Sequence, residues 1–151
     1  MTQDWRLSCH PDILKVLAYW QQKCDGRRMP SRGDIKPEEI VGFLPYIILV
    51  DVVPDERRFV YRLVGTGEAQ VRGNDPTGKP VGENYFAASR GLALARYEKV
   101  CTTRAPLYED DNNFQVVDRY VSEACLFLPL SEDGETVNMV MVFSINRDLY
   151  Q

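Results

Sequence analysis

A chain of 151 residues with 44% hydrophobic and 26% charged residues has the make-up of one folded domain, not of a disordered tail or a fibrous repeat. Its 18 Lys and Arg stand against 22 Asp and Glu, a net charge of −4, which sets the surface as a whole against nucleic-acid backbones. The longest apolar run, Ile47 to Val53, is broken by Asp51 and falls far short of the ~20 residues of a membrane span.

The amino terminus, Met-Thr-Gln-Asp-Trp-Arg, lacks the charged head and apolar stretch of an export signal, so a cytoplasmic setting is expected, with neither membrane nor nucleic acid as partner. Cys9, Cys24, Cys101 and Cys125 are scattered without a Cys-x-x-Cys pair and read as free thiols. A zinc site would need Cys9 and the single histidine, His10, to meet distant ligands, so no metal is expected.

In chain order, Ile13, Val16, Leu17, Trp20 and Cys24 recur at helical steps between Pro11, suited to a first helical position, and Gly26, suited to a carboxyl-terminal cap. The segment Arg27 to Pro37 is rich in charge and proline and predicts an irregular crossing, followed by one helical turn over Pro37 to Leu44. Tyr46 to Val53 and Arg58 to Gly65 predict a β-hairpin turning at Pro54 to Arg57. Glycines and prolines punctuate Thr66 to Phe86 and allow only short helices there. Ala87 to Thr103 returns to helix, with Leu94, Tyr97 and Cys101 as its apolar stripe. Leu107 to Phe114, Asp118 to Leu130 and Thr136 to Asn146 predict three more strands, the last two joined by Ser131 to Glu135.

The sum is an α+β domain with a five-stranded antiparallel sheet, short central helices, one longer helix and an N-terminal flanking helix. Residues 1–45 are expected to pack on the sheet and residues 46–151 to form the core. The last strand is apolar on both alternating sets, Val137, Met139, Met141, Phe143 and Ile145 against Val140 and Val142, so both sheet faces need cover. The first helix, a second copy of the chain, or both would supply it, which makes a homodimer the expected state.

Several motifs bear on chemistry. Gly73-Asn74-Asp75-Pro76-Thr77-Gly78-Lys79 matches the start of a phosphate-binding loop, but Pro80 stands where a magnesium-holding hydroxyl belongs and Pro76 removes a backbone donor, so a structural turn is expected. Arg32-Gly33-Asp34 spells an adhesion tripeptide by coincidence in a chain without an export signal. Arg27, Arg28 and Arg32 form a basic cluster, read either as favourable charge at a helix end or as an anion or partner patch. Arg62 lies among apolar strand neighbours, Val60 and Val64, on one alternating set; the readings are a buried ion pair or a contact to a ligand carboxylate or phosphate. Tyr61, Tyr85, Phe86, Tyr97, Tyr120 and Met139 are either core or the lining of a ligand pocket. Asp110 to Asn113 lacks calcium-loop spacing and reads as solvated. No Gly-x-Ser-x-Gly turn or histidine-based triad is present, and no catalytic residue is assigned.

Phe59 to Thr66 followed by Arg72 to Val81 is similar to the strand-to-short-helix passage of PAS sensory domains. With Trp20, the Met29 to Ile35 segment and Leu128-Pro129-Leu130-Ser131, the chain resembles more closely the divergent single-domain PAS family of alphaproteobacteria, over nearly its whole length. That resemblance implies a dimeric sensing or interaction module with a small-molecule cavity between sheet and helices and an output passed to a separate signalling protein. Photoactive flavin relatives would carry a cysteine where this chain reads Gly73-Asn74-Asp75-Pro76, and haem would need an axial ligand other than His10, so no cofactor is assigned. A cone-shaped α+β isomerase or hydrolase using a pocket carboxylate, with Asp51, Glu123 and Asp118 as the strand acids, and a scaffold without ligand are the alternatives.

Overall fold

The computed structural model describes residues 4–147. Helix α1 (Pro11–Cys24) starts at a proline whose missing N–H costs nothing there, and His10 Nδ1 accepts from the Asp12 N–H at 3.0 Å as its cap. It ends where Asp25 adopts φ +49° and Gly26 follows at +81°. Its buried stripe is Ile13, Val16, Leu17 and Trp20.

The hairpin strands are β1 (Ile47–Val52) and β2 (Phe59–Val64); helix α2 (Thr66–Arg72) follows directly, and helix α3 (Arg90–Thr103) precedes β3 (Leu107–Val116), β4 (Arg119–Leu130) and β5 (Met139–Asn146). The sheet is antiparallel in the order β2-β1-β5-β4-β3, so the last strand lies at its centre between the first and the fourth. Central placement explains why both sets of β5 are apolar, and all of its residues are buried.

Its two faces are covered differently. On the outer face, Met141 pairs with Leu128 and Leu49, Phe143 with Leu126 and Ile47, and α1 packs across β4 and β5. Trp20 fixes the docking: its indole Nε1–H donates to the Pro129 carbonyl at 2.9 Å. The crossing segment folds into short 3₁₀ turns, Arg32–Asp34, Pro37–Glu39 and Val41–Tyr46, the last carrying Phe43 edge-on to Phe143 at 5.4 Å. The Tyr19 hydroxyl accepts from the Lys36 N–H and donates to Glu39 at 2.9 Å each, clasping this segment to α1. Cover for the β4–β5 part of the outer face therefore comes from the chain itself.

On the inner face, Val142 pairs with Phe127 and Ile48, and α3 lies over β3 and β4. Ser89 caps α3 by accepting from the Leu92 N–H at 3.1 Å, so the helix begins at Arg90 and not at the expected Ala87. Its buried stripe also differs from expectation: Ala93, Arg96, Tyr97 and Val100 face inward, while Leu94 and Cys101 are its half-buried flanks. A charged residue takes a core position because the sheet offers it a polar partner.

Helix α2 is held by two glycines. A Cβ at Gly65 would lie 2.4 Å from the carbonyl oxygens of Leu44 and Pro45, and one at Gly67 would lie 2.5 Å from the Tyr46 ring. Only bare backbone allows α2 to approach the preceding 3₁₀ turn so closely, and that approach brings Glu68 and Arg72 into the interior.

Candidate functional site

Five polar or charged side chains from four elements converge in the interior on the inner face. Glu68 and Arg72 lie one turn apart on α2, and an Arg72 Nη1–H donates to Glu68. From β4, Glu123 receives Arg72 Nη2 at 3.1 Å and is wholly buried, as is Glu68. Asn112 of β3 donates through Nδ2 to Glu123 at 3.3 Å and accepts from Arg96 Nη1 of α3 at 2.7 Å. The Arg72 guanidinium also lies against two rings, 4.9 Å from the centroid of Phe86 and 5.2 Å from that of Phe114.

Strand geometry explains the convergence. The inward set of β4 runs Phe127, Cys125, Glu123, and β5 opposes these with Val142, Ser144 and Asn146, so the inner face turns polar toward one end. On β3 a bulge inserts one residue between the pairs Glu109 with Cys125 and Asn112 with Glu123. The bulge points Asn112 inward and leaves the Asp111 carboxylate largely exposed, 3.5 Å from Arg96 Nη2. The stretch Asp110 to Asn113, expected to be solvated, is thus part of a strand with one residue of the network at its centre.

Burial sets the charge states. Desolvation pushes the Glu68 carboxyl up to about 8; the Glu123 carboxylate adds to the rise, and Arg72 opposes it. Arg72 is penalised by its own burial, yet Glu123 and Glu68 together hold it more firmly protonated than a free arginine. Near neutral pH the cluster therefore holds a proton on Glu68, with Arg72 paired to Glu123. Burial raises the Tyr61 hydroxyl to about 12 and pushes the Cys125 thiol above its ordinary range, so neither ionises at neutral pH.

Above the cluster lies a cavity of about 30 Å³, whose walls include Tyr61, Phe86, Tyr97, Phe127, Arg72, Arg96 and Asn112. Its volume is an order of magnitude below the ~300 Å³ at which pockets for drug-sized ligands begin, so in this conformation it does not admit a flavin or a nucleotide.

Of the sequence candidates, Tyr61, Phe86 and Tyr97 meet here. Tyr61 donates its hydroxyl to the Asn84 carbonyl at 2.7 Å, and Tyr97 packs edge-on to Phe127 at 5.4 Å. Tyr85 and Tyr120 are exposed, and Met139 is buried on the outer face opposite Leu130, so none of the three reaches the cavity.

Arg62 departs furthest from expectation. Its side chain is 64% exposed and pairs with Asp51 at 2.9 Å on the surface. The register steps from Leu49 opposite Leu63 to Val50 opposite Tyr61, which makes Arg62 the extra residue of a bulge and breaks the alternation that implied its burial. Arg27 does what a helix-end cation does: it donates to the Cys24 and Lys23 carbonyls and pairs with Asp34 at 2.7 Å. Arg28 reaches the Thr103 carbonyl at 3.4 Å and Arg32 the Ile35 carbonyl at 3.2 Å, so each of the three has a backbone acceptor within the chain.

Among the strand acids, Asp51 belongs to that surface pair and Asp118 lies in the exposed β3–β4 turn. Glu123 enters the network, but neither it nor Glu68 lines the cavity. Sequence reading did not bring Glu68, Arg72, Arg96 and Asn112 together in one site. The available signals were the i, i+4 acid and base in a short helix and the position of Arg96 on the Ala93, Tyr97, Val100 stripe. Among the described residues no three His, Cys, Asp or Glu side chains are grouped to hold a metal, and no helix is long and apolar enough to cross a membrane.

The sequence matches the family described as PAS domain over residues 9–143. No curated protein matches it. The fold is similar to that of the PAS domain from Bordetella pertussis BvgS, at 17% identity and a TM-score of 0.53 over 75% of this chain and 90% of that one. It is similar to the PAS domain from the fruit-fly ELK potassium channel, at 10% identity and a TM-score of 0.55 over 72% and 91%. It is also similar to the LOV domain from the Erythrobacter litoralis EL346 blue-light activated histidine kinase, at 15% identity and a TM-score of 0.53 over 68% and 96%. The family match takes in α1, the sheet up to Phe143 and the whole buried network, and the same fold recurs in these structures: the chain belongs to the PAS domain family.

Proposed function

We propose that the protein is a non-enzymatic sensory and regulatory module of the cytoplasm that reads the state of its buried cavity and answers through protein contacts. The observation that carries this reading is the charged network beside a small cavity, tied to both α2 and α3. A change in occupancy or charge there shifts two helices and the inner face of β4. The outer face of the same strand carries Trp20 of α1 through the Pro129 carbonyl, so residues 1–45 act as the lever and residues 46–151 as the sensing core. The output is formation or loss of a homodimer and contact with a separate signalling protein. A pocket-carboxylate enzyme is a poorer fit, because Glu68 and Glu123 are wholly buried and bound to Arg72.

Light scattering coupled to size exclusion across micromolar concentrations, together with native mass spectrometry of freshly purified protein, tests the reading. A dimer whose population changes when the network is altered by Glu68→Gln supports it. A monomer at every concentration, in wild type and variant alike, counts against it.

A further inference from the structure

Of the two arginines that line the cavity, one has a buried counter-ion and the other has a counter-ion only at the surface. Arg72 has Glu123 as a buried counter-ion, but Arg96, 5% exposed, has within the interior only the neutral amide of Asn112. Its carboxylate partner among the described residues, Asp111, is 70% exposed and 3.5 Å away, where solvent screens it. Both arginines line the cavity, and the Nε–H of each is buried without an acceptor. Two unmet guanidinium donors on residues that line one small cavity are costly as they stand, because a buried charged donor without a partner forfeits its solvation. Tyr61, Phe86, Tyr97 and Phe127 exclude water around them and strengthen any charge-assisted contact made there.

The space has room for about two water molecules. That excludes large anions and suits a planar one of a few heavy atoms, whose oxygens can accept the Nε–H that each arginine leaves without a partner. We propose that the cavity binds a small planar oxyanion, of the formate, nitrate or bicarbonate class, held by Arg72 and Arg96. This rests on the reading of the cavity as the sensory site and names the chemistry it would read. Glu68, the third buried group with an unmet atom, does not line the cavity and is neutral near pH 7, so it does not oppose the anion.

The test uses the full chain and known probes. Sodium formate and sodium nitrate are titrated by calorimetry against sodium chloride at equal ionic strength, and ¹³C-formate resonances are followed for broadening on unmodified protein. Saturable binding of formate and nitrate, with formate displaced by nitrate and chloride without comparable effect, is the expected result. Arg96→Gln should weaken it by at least about tenfold, the cost of one charge-assisted contact, and Ala93→Leu, which fills the cavity without touching a charge, should abolish it. A ¹³C-formate signal unchanged by wild-type protein overturns the proposal without recourse to any variant, as does equal binding to wild type, Arg96→Gln and Ala93→Leu. Light scattering on the same samples separates the two claims. Oxyanion binding with no change in association leaves the site standing and removes the sensory reading, whereas association that responds to Glu68→Gln without oxyanion binding removes only the ligand class.

Discussion

Replacing Glu68 by Gln keeps the shape of the side chain and removes its ionisation, which makes it the cleanest probe of the buried network. In the unfolded chain this carboxyl titrates near 4.5, and in the folded protein burial raises it to about 8. Below the lower value both states hold the proton and Glu68 contributes no pH dependence. Between the two the folded state holds a proton that the unfolded state has lost, so stability falls as pH rises, by about 1.4 kcal/mol per pH unit for one such group. Above about 8 the penalty is complete, and across the window it sums to at most roughly 5 kcal/mol. Urea unfolding followed by tryptophan fluorescence from about pH 5 to about pH 9, in wild type and Glu68→Gln, measures the difference directly. The two proteins should agree at the acid end and diverge steadily, with the variant more stable by several kcal/mol at the alkaline end. In Glu123→Gln, loss of the repelling carboxylate should move the Glu68 titration to lower pH. Parallel wild-type and Glu68→Gln curves would mean that Glu68 is ionised throughout and paired to Arg72, and the charge assignment of the network would be refuted.

Arg62→Ala should change stability by no more than about 1 kcal/mol, since its pair with Asp51 lies at the surface; a chemical-denaturation midpoint lowered by much more would return Arg62 to the interior. Gly65→Ala should destabilise by at least about 1–3 kcal/mol, because its methyl group would sit 2.4 Å from two carbonyl oxygens, and the loss should appear as faster amide exchange along α2. Trp20→Phe leaves the buried Pro129 carbonyl without its donor and should cost about 1–3 kcal/mol in thermal unfolding, with α1 losing protection before the strands do.

The elements were legible because each carries its own local signal. Pro11 with the Ile13 to Trp20 stripe marks α1, the Pro54 to Arg57 turn marks the hairpin, and the two apolar sets of β5 announce that both faces of its sheet are covered. Tyr61, Phe86 and Tyr97 were within reach for the same reason, as large aromatics on elements whose inward sides are set by period. The charged residues were not, because two strands carry bulges. One converts Arg62 from an inward to a surface residue, and the other turns Asn112 inward opposite Glu123. A bulge adds a residue without changing composition, so alternation counted along one strand gives the wrong face beyond it. Arg96 was obscured by the opposite difficulty. It occupies a core position on α3 that an arginine fills only when a polar partner awaits, and that partner, Asn112, is itself in place only because of the second bulge. The network and the fold are therefore interdependent: without the β3 bulge, Asn112 would face outward, Arg96 would lose its one buried partner, and α3 would have no reason to carry a charge into the core.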